Sequence, residues 1–195
     1  QDWPRVRAVL DDLLASPIRR PTWRAQSLLA LAALAESASR YDASQRICEY
    51  LLGGGIGNAL QRHTAEVTLG AALLRNGQTA DAVALIDRLN VQNLPEMLKA
   101  HVELLSLFRE VTMGHADESV RRADERRALF RAHLGTRAGY GYALLAAAFD
   151  RMQQPQAAGR YWHDATLLVS REELLGRFAV LNDVAERYPA VEYPV

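Results

Sequence analysis

Cysteine is the scarcest residue type in this chain, with Cys48 as its single representative. One cysteine excludes an intrachain disulfide framework and leaves the cellular compartment open. Cys48 shares a helical stripe with Ser44 and Leu51, and this position predicts a small, buried hydrophobic side chain.

Net charge and long apolar runs are absent as well. The chain has 23 basic and 23 acidic residues, and the basic ones are spread out, so no overall field attracts nucleic acid or an anionic membrane. The most apolar stretch, Ser27 to Ala35, is far shorter than the roughly 18 residues of a membrane span. We therefore expect no direct contact with nucleic acid and no membrane insertion.

The first residue is Gln1 and not a methionine. We expect the chain to be processed or to be part of a longer protein. We expect a bacterial protein of the cytoplasm, or of the periplasm if a leader peptide is missing from the chain.

The pattern of polar residues lacks the convergence that catalysis requires. The five histidines show neither the spacing of four residues nor the cysteine neighbours of a zinc site. His163 and Asp164 resemble a base with an orienting acid, but adjacent residues of a helix point to different faces. The glycine run at 53–57 lacks the lysine of a phosphate-binding loop, which favours a turn. We expect no enzymatic activity, no metal and no cofactor.

A repeat organises what the sequence does contain. Leu31, Leu69, Leu107 and Leu145 lie 38 residues apart, and similar neighbours recur around each of them. Repeats of about this length typically form helix pairs that stack into a solenoid. The chain is 49% hydrophobic and rich in good helix formers, which agrees with this interpretation.

The clearest copy resembles a tetratricopeptide (TPR) repeat. It runs from Thr64 to Asn90, with a turn at Asn76-Gly77-Gln78. The family motif matches at Leu69, Gly70, Leu73, Ala82 and Ile86, and a second clear copy has Leu145, Ala146, Phe149, Ala158 and Trp162. In the copy around Leu107, Asp124 and Arg127 occupy positions that should be apolar. We interpret that copy as having a longer second helix in a shifted register.

The resemblance covers about residues 25–170 and implies an all-α fold. We expect a right-handed α-solenoid of antiparallel helix pairs, with about nine helices, forming a single domain over residues 1–195. Its predicted parts are a half repeat at 1–16, repeats at about 22–56, 60–92, 95–134 and 139–169, and a capping helix at 171–188.

The resemblance also implies a concave groove, lined by the first helix of each pair. The residues that map to it are Leu29, Ala33, Val67, Ala71, Leu74, Leu105, Arg109, Met113, Tyr140, Ala143 and Ala147. The lysines and asparagines with which chaperone-binding members hold a terminal carboxylate do not occur at these positions. This mostly apolar face suits a protein or peptide with apolar anchors. Another part of the same chain, or a second copy in a homodimer, is an equal alternative.

We therefore expect a scaffold whose groove binds an apolar peptide or helix. The combined replacements Val67→Asp and Leu105→Asp should abolish binding at near-normal helicity. Two alternatives stay open: the sensor region of a MalT-like transcriptional regulator, which the lengthened repeat resembles, and a chaperone-type TPR protein in secretion or assembly.

One local arginine cluster interrupts the even charge distribution. Its members, Arg121, Arg122, Arg126, Arg127 and Arg131, alternate with acidic residues of the same segment. This alternation predicts a solvated face with local ion pairs. A site for phosphate or an acidic peptide is the alternative.

Overall fold

The computed structural model describes residues 21–188 and, before them, residues 4, 5, 8, 11, 12 and 15. Every regular element in this part of the chain is helical, which confirms the all-α prediction. The six described residues near the amino end are helical and exposed. The rest of the half repeat predicted at 1–16 lies outside the described residues.

Eleven α-helices lie within residues 21–188. They are α1 (Pro21–Ser37), α2 (Tyr41–Gly53), α3 (Ala59–Arg75), α4 (Thr79–Asn90), α5 (Glu96–Met113), α6 (Ala116–Arg121), α7 (Ala123–His133), α8 (Ala138–Arg151), α9 (Pro155–Thr166), α10 (Arg171–Arg177) and α11 (Asn182–Arg187). Short 3-10 turns at Gly135–Arg137 and Ala179–Leu181 precede α8 and α11. Two predicted helices are each split, at Arg122 and at Phe178, so residues 21–188 alone contain more helices than the nine or so predicted.

The same backbone turn follows α1, α3, α5 and α8. A residue with a left-handed backbone occurs at Ser39 (φ 56°), Gly77 (φ 74°), Gly114 (φ 87°) and Gln153 (φ 57°). The next residue donates its N–H to the carbonyl five positions back: Arg40 to Ala35, Gln78 to Leu73, His115 to Glu110 and Gln154 to Phe149, all at 2.8–3.0 Å. This pattern satisfies carbonyls that the end of a helix leaves without a partner.

The third of these turns comes one residue early. Ser39, Gly77 and Gln153 keep the 38-residue period, whereas Gly114 precedes its expected position by one. The helices that follow Gly114 are shifted by the same one residue toward the amino end of the sequence. Three of their buried residues, Ser119, Ala123 and Arg126, each lie one residue before the position that the strict 38-residue period marks. The register is therefore shifted, as predicted, because one residue is missing from the turn.

The chain divides into two compact units, and the boundary along the sequence lies between Gln92 and Asn93. In unit 1, residues 1–92, α1 packs against α2 and α3, α2 packs against α3, and α3 packs against α4. Ala25, Leu28, Leu51 and Ala65 form a buried cluster between these helices. Such small and branched side chains let the helices of a pair lie close together.

Helix α3 begins at a capping box. Gln61 donates its backbone N–H to Asn58 Oδ1 at 2.9 Å, and Asn58 donates its own N–H to Gln61 Oε1 at 3.1 Å. These bonds satisfy donors at the start of the helix. The Gln61 side chain also donates to the Thr22 carbonyl at 2.9 Å, which joins the starts of α1 and α3.

In unit 2, residues 93–195, α8 occupies the centre. It contacts α5, α6, α7, α9 and α11, as well as both 3-10 turns. Every residue from Ala138 to Phe149 except Tyr140 is buried. Glycines allow this close approach: a Cβ atom added at Gly141 would lie 2.3 Å from the buried Phe130 ring.

The turn after α8 offers a test of backbone strain. A left-handed conformation costs a residue with a side chain about 1 kcal/mol relative to glycine. We expect Gln153→Gly to raise the free energy of unfolding by about that amount in urea denaturation. Gln154→Gly is the control, because Gln154 has φ −111° and gains nothing from glycine. Equal effects of both changes would contradict this account.

The packing of α8 offers a second test. Gly141→Ala should destabilise the protein by about 1–3 kcal/mol, since the added methyl group displaces the enclosed Phe130 ring. Gly176→Ala is its control: a Cβ atom at Gly176 meets nothing within 4 Å, and alanine favours a helix. Thermal unfolding of the two variants should therefore shift in opposite directions.

Candidate functional site

The residues predicted to line a groove divide between the two units. In unit 1, Ala33 is exposed, Leu29, Val67 and Ala71 are half-buried, and Leu74 is buried. In unit 2, Met113 is exposed, Arg109 and Tyr140 are half-buried, and Leu105, Ala143 and Ala147 are buried. The structure thus leaves part of the predicted lining open in unit 1 and covers most of it in unit 2.

The burial of Leu105 corrects one expected outcome. The side chain is 4% exposed, because α5 packs against α7 and α8. An aspartate there would place an unpaired charge in the interior, which is strongly destabilising. Leu105→Asp is therefore a disruption of the fold and not a test of binding.

The open part of unit 1 is a face shared by α1 and α3, which we call the α1–α3 face. Leu29, Ala33 and Glu36 follow one another along one side of α1, and Val67, Ala71 and Arg75 follow one another along one side of α3. The two helices are in contact. The face therefore combines two apolar side chains, two alanines and one pair of opposite charges.

The charges of the α1–α3 face neutralise each other. Arg75 Nη1 lies 3.2 Å from Glu36 Oε1, and the two side chains are only 8% and 15% exposed. The Arg75 guanidinium also lies over the Tyr41 ring, 5.1 Å from its centroid. One end of this face is thus fixed by an ion pair, and the remainder is apolar and small.

The corresponding side of α8 in unit 2 is covered by the carboxyl-terminal helices. Tyr140, at one end of α8, donates its hydroxyl to Glu173 Oε1. Asp150, at the other end, accepts hydrogen bonds from Arg187 at 2.7 Å and from the Tyr188 hydroxyl at 3.0 Å. Between these ends, Ala143 and Ala147 are buried.

An aromatic side chain anchors the carboxyl-terminal helices to this side of α8. The Phe178 ring packs edge-on against Phe108, with centroids 5.0 Å apart, and against Tyr140, at 5.8 Å. Phe178 has an extended backbone, φ −137° and ψ 90°. The single capping helix predicted at 171–188 is therefore interrupted at the residue whose ring enters the face.

A buried charge network connects α5 with α7. Arg126 is 1% exposed and binds Glu110 through two parallel hydrogen bonds of 2.7 and 2.6 Å. Its Nε also donates to Glu103 at 3.0 Å. Ser119 donates to the same Glu110 carboxylate at 2.8 Å, and Arg122 donates to Glu103 at 2.8 Å. Charge-assisted, paired bonds of this kind are among the strongest in proteins.

This network corrects the prediction of a solvated arginine face. Arg121 is exposed and pairs with Asp117 on its own helix, as predicted, but Arg126 finds its partners on α5. Sequence signals existed for this pairing. Glu103 and Glu110 lie seven residues apart, on one side of an apolar helix, and Arg126 occupies the buried register once the early turn at Gly114 is counted.

The network fixes the charge states of its members. Burial alone would raise the pKa of Glu110, but the hydrogen bonds and positive charge of Arg126 outweigh it, and the pKa lies below its usual value. Burial alone would lower the pKa of Arg126, and the bonds to Glu110 and Glu103 raise it instead. Both residues therefore stay charged at neutral pH.

Cys48 is buried, which confirms its interpretation as a small core residue. Burial raises the pKa of its thiol to about 12, with the nearby charges of Glu36 and Glu49 acting in the same direction. The thiolate is the reactive form of cysteine. At neutral pH this side chain is therefore a protonated, apolar group of unit 1.

Neither a metal centre nor a membrane span is found in the described part of the chain. No group of three or more histidine, cysteine, aspartate or glutamate side chains among these residues is placed to hold a metal ion. No helix within residues 21–188 combines the length and the hydropathy that crossing a bilayer demands.

Comparison with known proteins adds no family to these observations. No model of a known protein family matches the sequence. No curated protein sequence and no solved structure is significantly similar to the chain.

Removing one member of the buried network should be costly. Arg126→Met leaves Glu110 charged and without its partner, and we expect a loss of about 3–5 kcal/mol in the free energy of unfolding. Arg121→Met removes an exposed pair from the same arginine cluster and should change stability by less than about 0.5 kcal/mol. Urea denaturation measures both.

The difference in unfolding free energy between the wild type and Arg126→Met should depend on pH. Because the pKa of Glu110 is lowered by folding, its contribution is present above the ordinary glutamate value of 4.5 and is lost as the pH falls further. The gap between the wild type and Arg126→Met should therefore narrow in acid. A gap that widens below that pH would contradict the ion pair.

Proposed function

We propose that the chain is a TPR-like, right-handed α-solenoid that acts as a non-catalytic scaffold for protein–protein interaction. Its binding surface is the α1–α3 face, which takes an apolar peptide or helix of a partner protein. The observation that supports this most directly is the partly exposed, apolar lining formed by Leu29, Ala33, Val67 and Ala71.

The recurring turn supports the repeat architecture. Four left-handed residues, each followed by a bond to the carbonyl five positions back, join the first helix of a pair to the second. Stacked helix pairs of this kind leave one side of each first helix free for a ligand. In unit 1 that side belongs to α1 and α3.

The chemistry of the face indicates the kind of ligand. Leu29 and Val67 offer apolar contact, while Ala33 and Ala71 are small enough to leave room for side chains of a partner. Glu36 and Arg75 already neutralise each other, so a charged ligand would gain little by binding either of them. Amphipathic helices bind such grooves through apolar side chains spaced three and four residues apart.

The test requires a variant that blocks the face without weakening the fold. Ala33→Arg introduces a long, charged side chain in the middle of the face, and it replaces an exposed residue inside a helix. Ala84→Arg is the matched control, since Ala84 is an exposed alanine inside α4, away from the face. Both variants should keep the thermal stability of the wild type, because arginine is a good helix former.

A displayed library of amphipathic helical peptides would be selected on the wild-type chain, and the enriched peptides measured by fluorescence anisotropy. We expect Ala33→Arg to weaken binding at least about tenfold, or 1.4 kcal/mol, and Ala84→Arg to leave it unchanged. Peptides that bind both variants equally, or a library without enrichment, would refute the assignment.

A further inference from the structure

The carboxyl-terminal segment, residues 170–188, contacts unit 2 in the way that a bound peptide does. An aromatic side chain, Phe178, inserts at the centre between Phe108 and Tyr140. Polar contacts secure both ends, at Tyr140 with Glu173 and at Asp150 with Arg187. An apolar anchor flanked by specific polar contacts is the usual composition of a peptide-binding interface.

The segment is poorly suited to persist without these contacts. Its helices have seven and six residues, joined by a 3-10 turn of three. Isolated helices of this length are unstable in water. The described residues that connect it to α9 include Leu167, which is 64% exposed. The segment buries Leu174, Phe178 and Leu181 against unit 2, so these contacts, and not the stability of its own helices, hold it in place.

The face beneath the segment has independent support. Helix α8 also contacts α5, α6, α7 and α9, so its position does not depend on residues 170–188 alone. This face, which we call the α5–α8 face, consists of Phe108 from α5 and Tyr140, Ala143, Ala147 and Asp150 from α8. It presents an aromatic slot beside the Tyr140 hydroxyl at one end of α8 and the Asp150 carboxylate at the other end.

We propose that the α5–α8 face is a second protein-binding site, that the carboxyl-terminal segment occupies it as an intramolecular ligand, and that a helical segment of a partner protein displaces it. Charge complementarity defines the partner. It carries a carboxylate for Tyr140, an aromatic residue for the slot, and a guanidinium or ammonium group for Asp150. This site is independent of the α1–α3 face, and either can exist without the other.

The first experiment measures whether the segment opens alone. Native-state hydrogen exchange of the wild-type chain compares the amides of α10 and α11 with those of α8. We expect the former to exchange at least about tenfold faster. Arg187→Ala should accelerate them further, whereas Arg131→Ala, an exposed arginine of α7, should not. Equal exchange in α8, α10 and α11 would mean that the segment opens only on global unfolding, which overturns the proposal.

The second experiment measures displacement. A fluorescent peptide with the sequence of residues 170–188 is titrated with the full chain carrying Phe178→Ala, which vacates the slot. We expect saturable binding that is at least tenfold tighter than to the wild-type chain, and none for a peptide with the same replacement. Failure of the native peptide to bind a Phe178→Ala chain that keeps its helical circular dichroism would overturn the proposal.

Two controls keep the outcome decisive. If Phe178→Ala loses its helical signal, the titration uses Arg187→Ala, which removes a side chain that is itself 61% exposed and leaves the apolar core intact. Size-exclusion chromatography accompanies each titration. Dimers that form when the segment opens would identify a second copy of the chain as the occupant. That result would overturn the proposal that a different protein binds this face.

Discussion

The turn after the first helix of each pair determines how everything beyond it packs. A left-handed residue ends the helix, and the bond to the carbonyl five positions back fixes the direction in which the chain leaves. The second helix then buries residues at a constant distance from the turn. These are Ser44, Cys48 and Leu51 in the first pair, Ala82, Ile86 and Leu89 in the second, and Ala158, Trp162 and Ala165 in the fourth. A change of one residue in the turn therefore moves a whole buried stripe.

The helices and their period could be predicted from sequence because both are local or repetitive properties. Leu31, Leu69, Leu107 and Leu145 mark the repeat without any knowledge of contacts. The buried role of Arg126 was missed because arginine is usually exposed, and only the register after Gly114 shows otherwise. The interruption at Phe178 was missed for a different reason. The apolar spacing of residues 172–188 suits one continuous helix, and a long-range aromatic contact overrides it.

The predicted binding residues show a similar limit. Helical spacing identifies which side of a helix a residue occupies, but what covers that side depends on distant parts of the chain. In α8 the glycines and alanines let neighbours approach from every direction, so a side that a repeat motif marks as concave is covered. In α1 and α3 the same motif positions stay partly open. The same sequence pattern thus marks buried positions in unit 2 and partly exposed positions in unit 1.

The bidentate pair of Arg126 and Glu110 also constrains how this sequence can vary in evolution. Replacing either residue alone leaves the other as an uncompensated buried charge, whereas replacing both with apolar residues of similar size is tolerated far better. Homologous sequences that lack this ion pair should therefore have replaced both residues together. Correlated substitution at these two positions, on helices α5 and α7, would therefore record their contact.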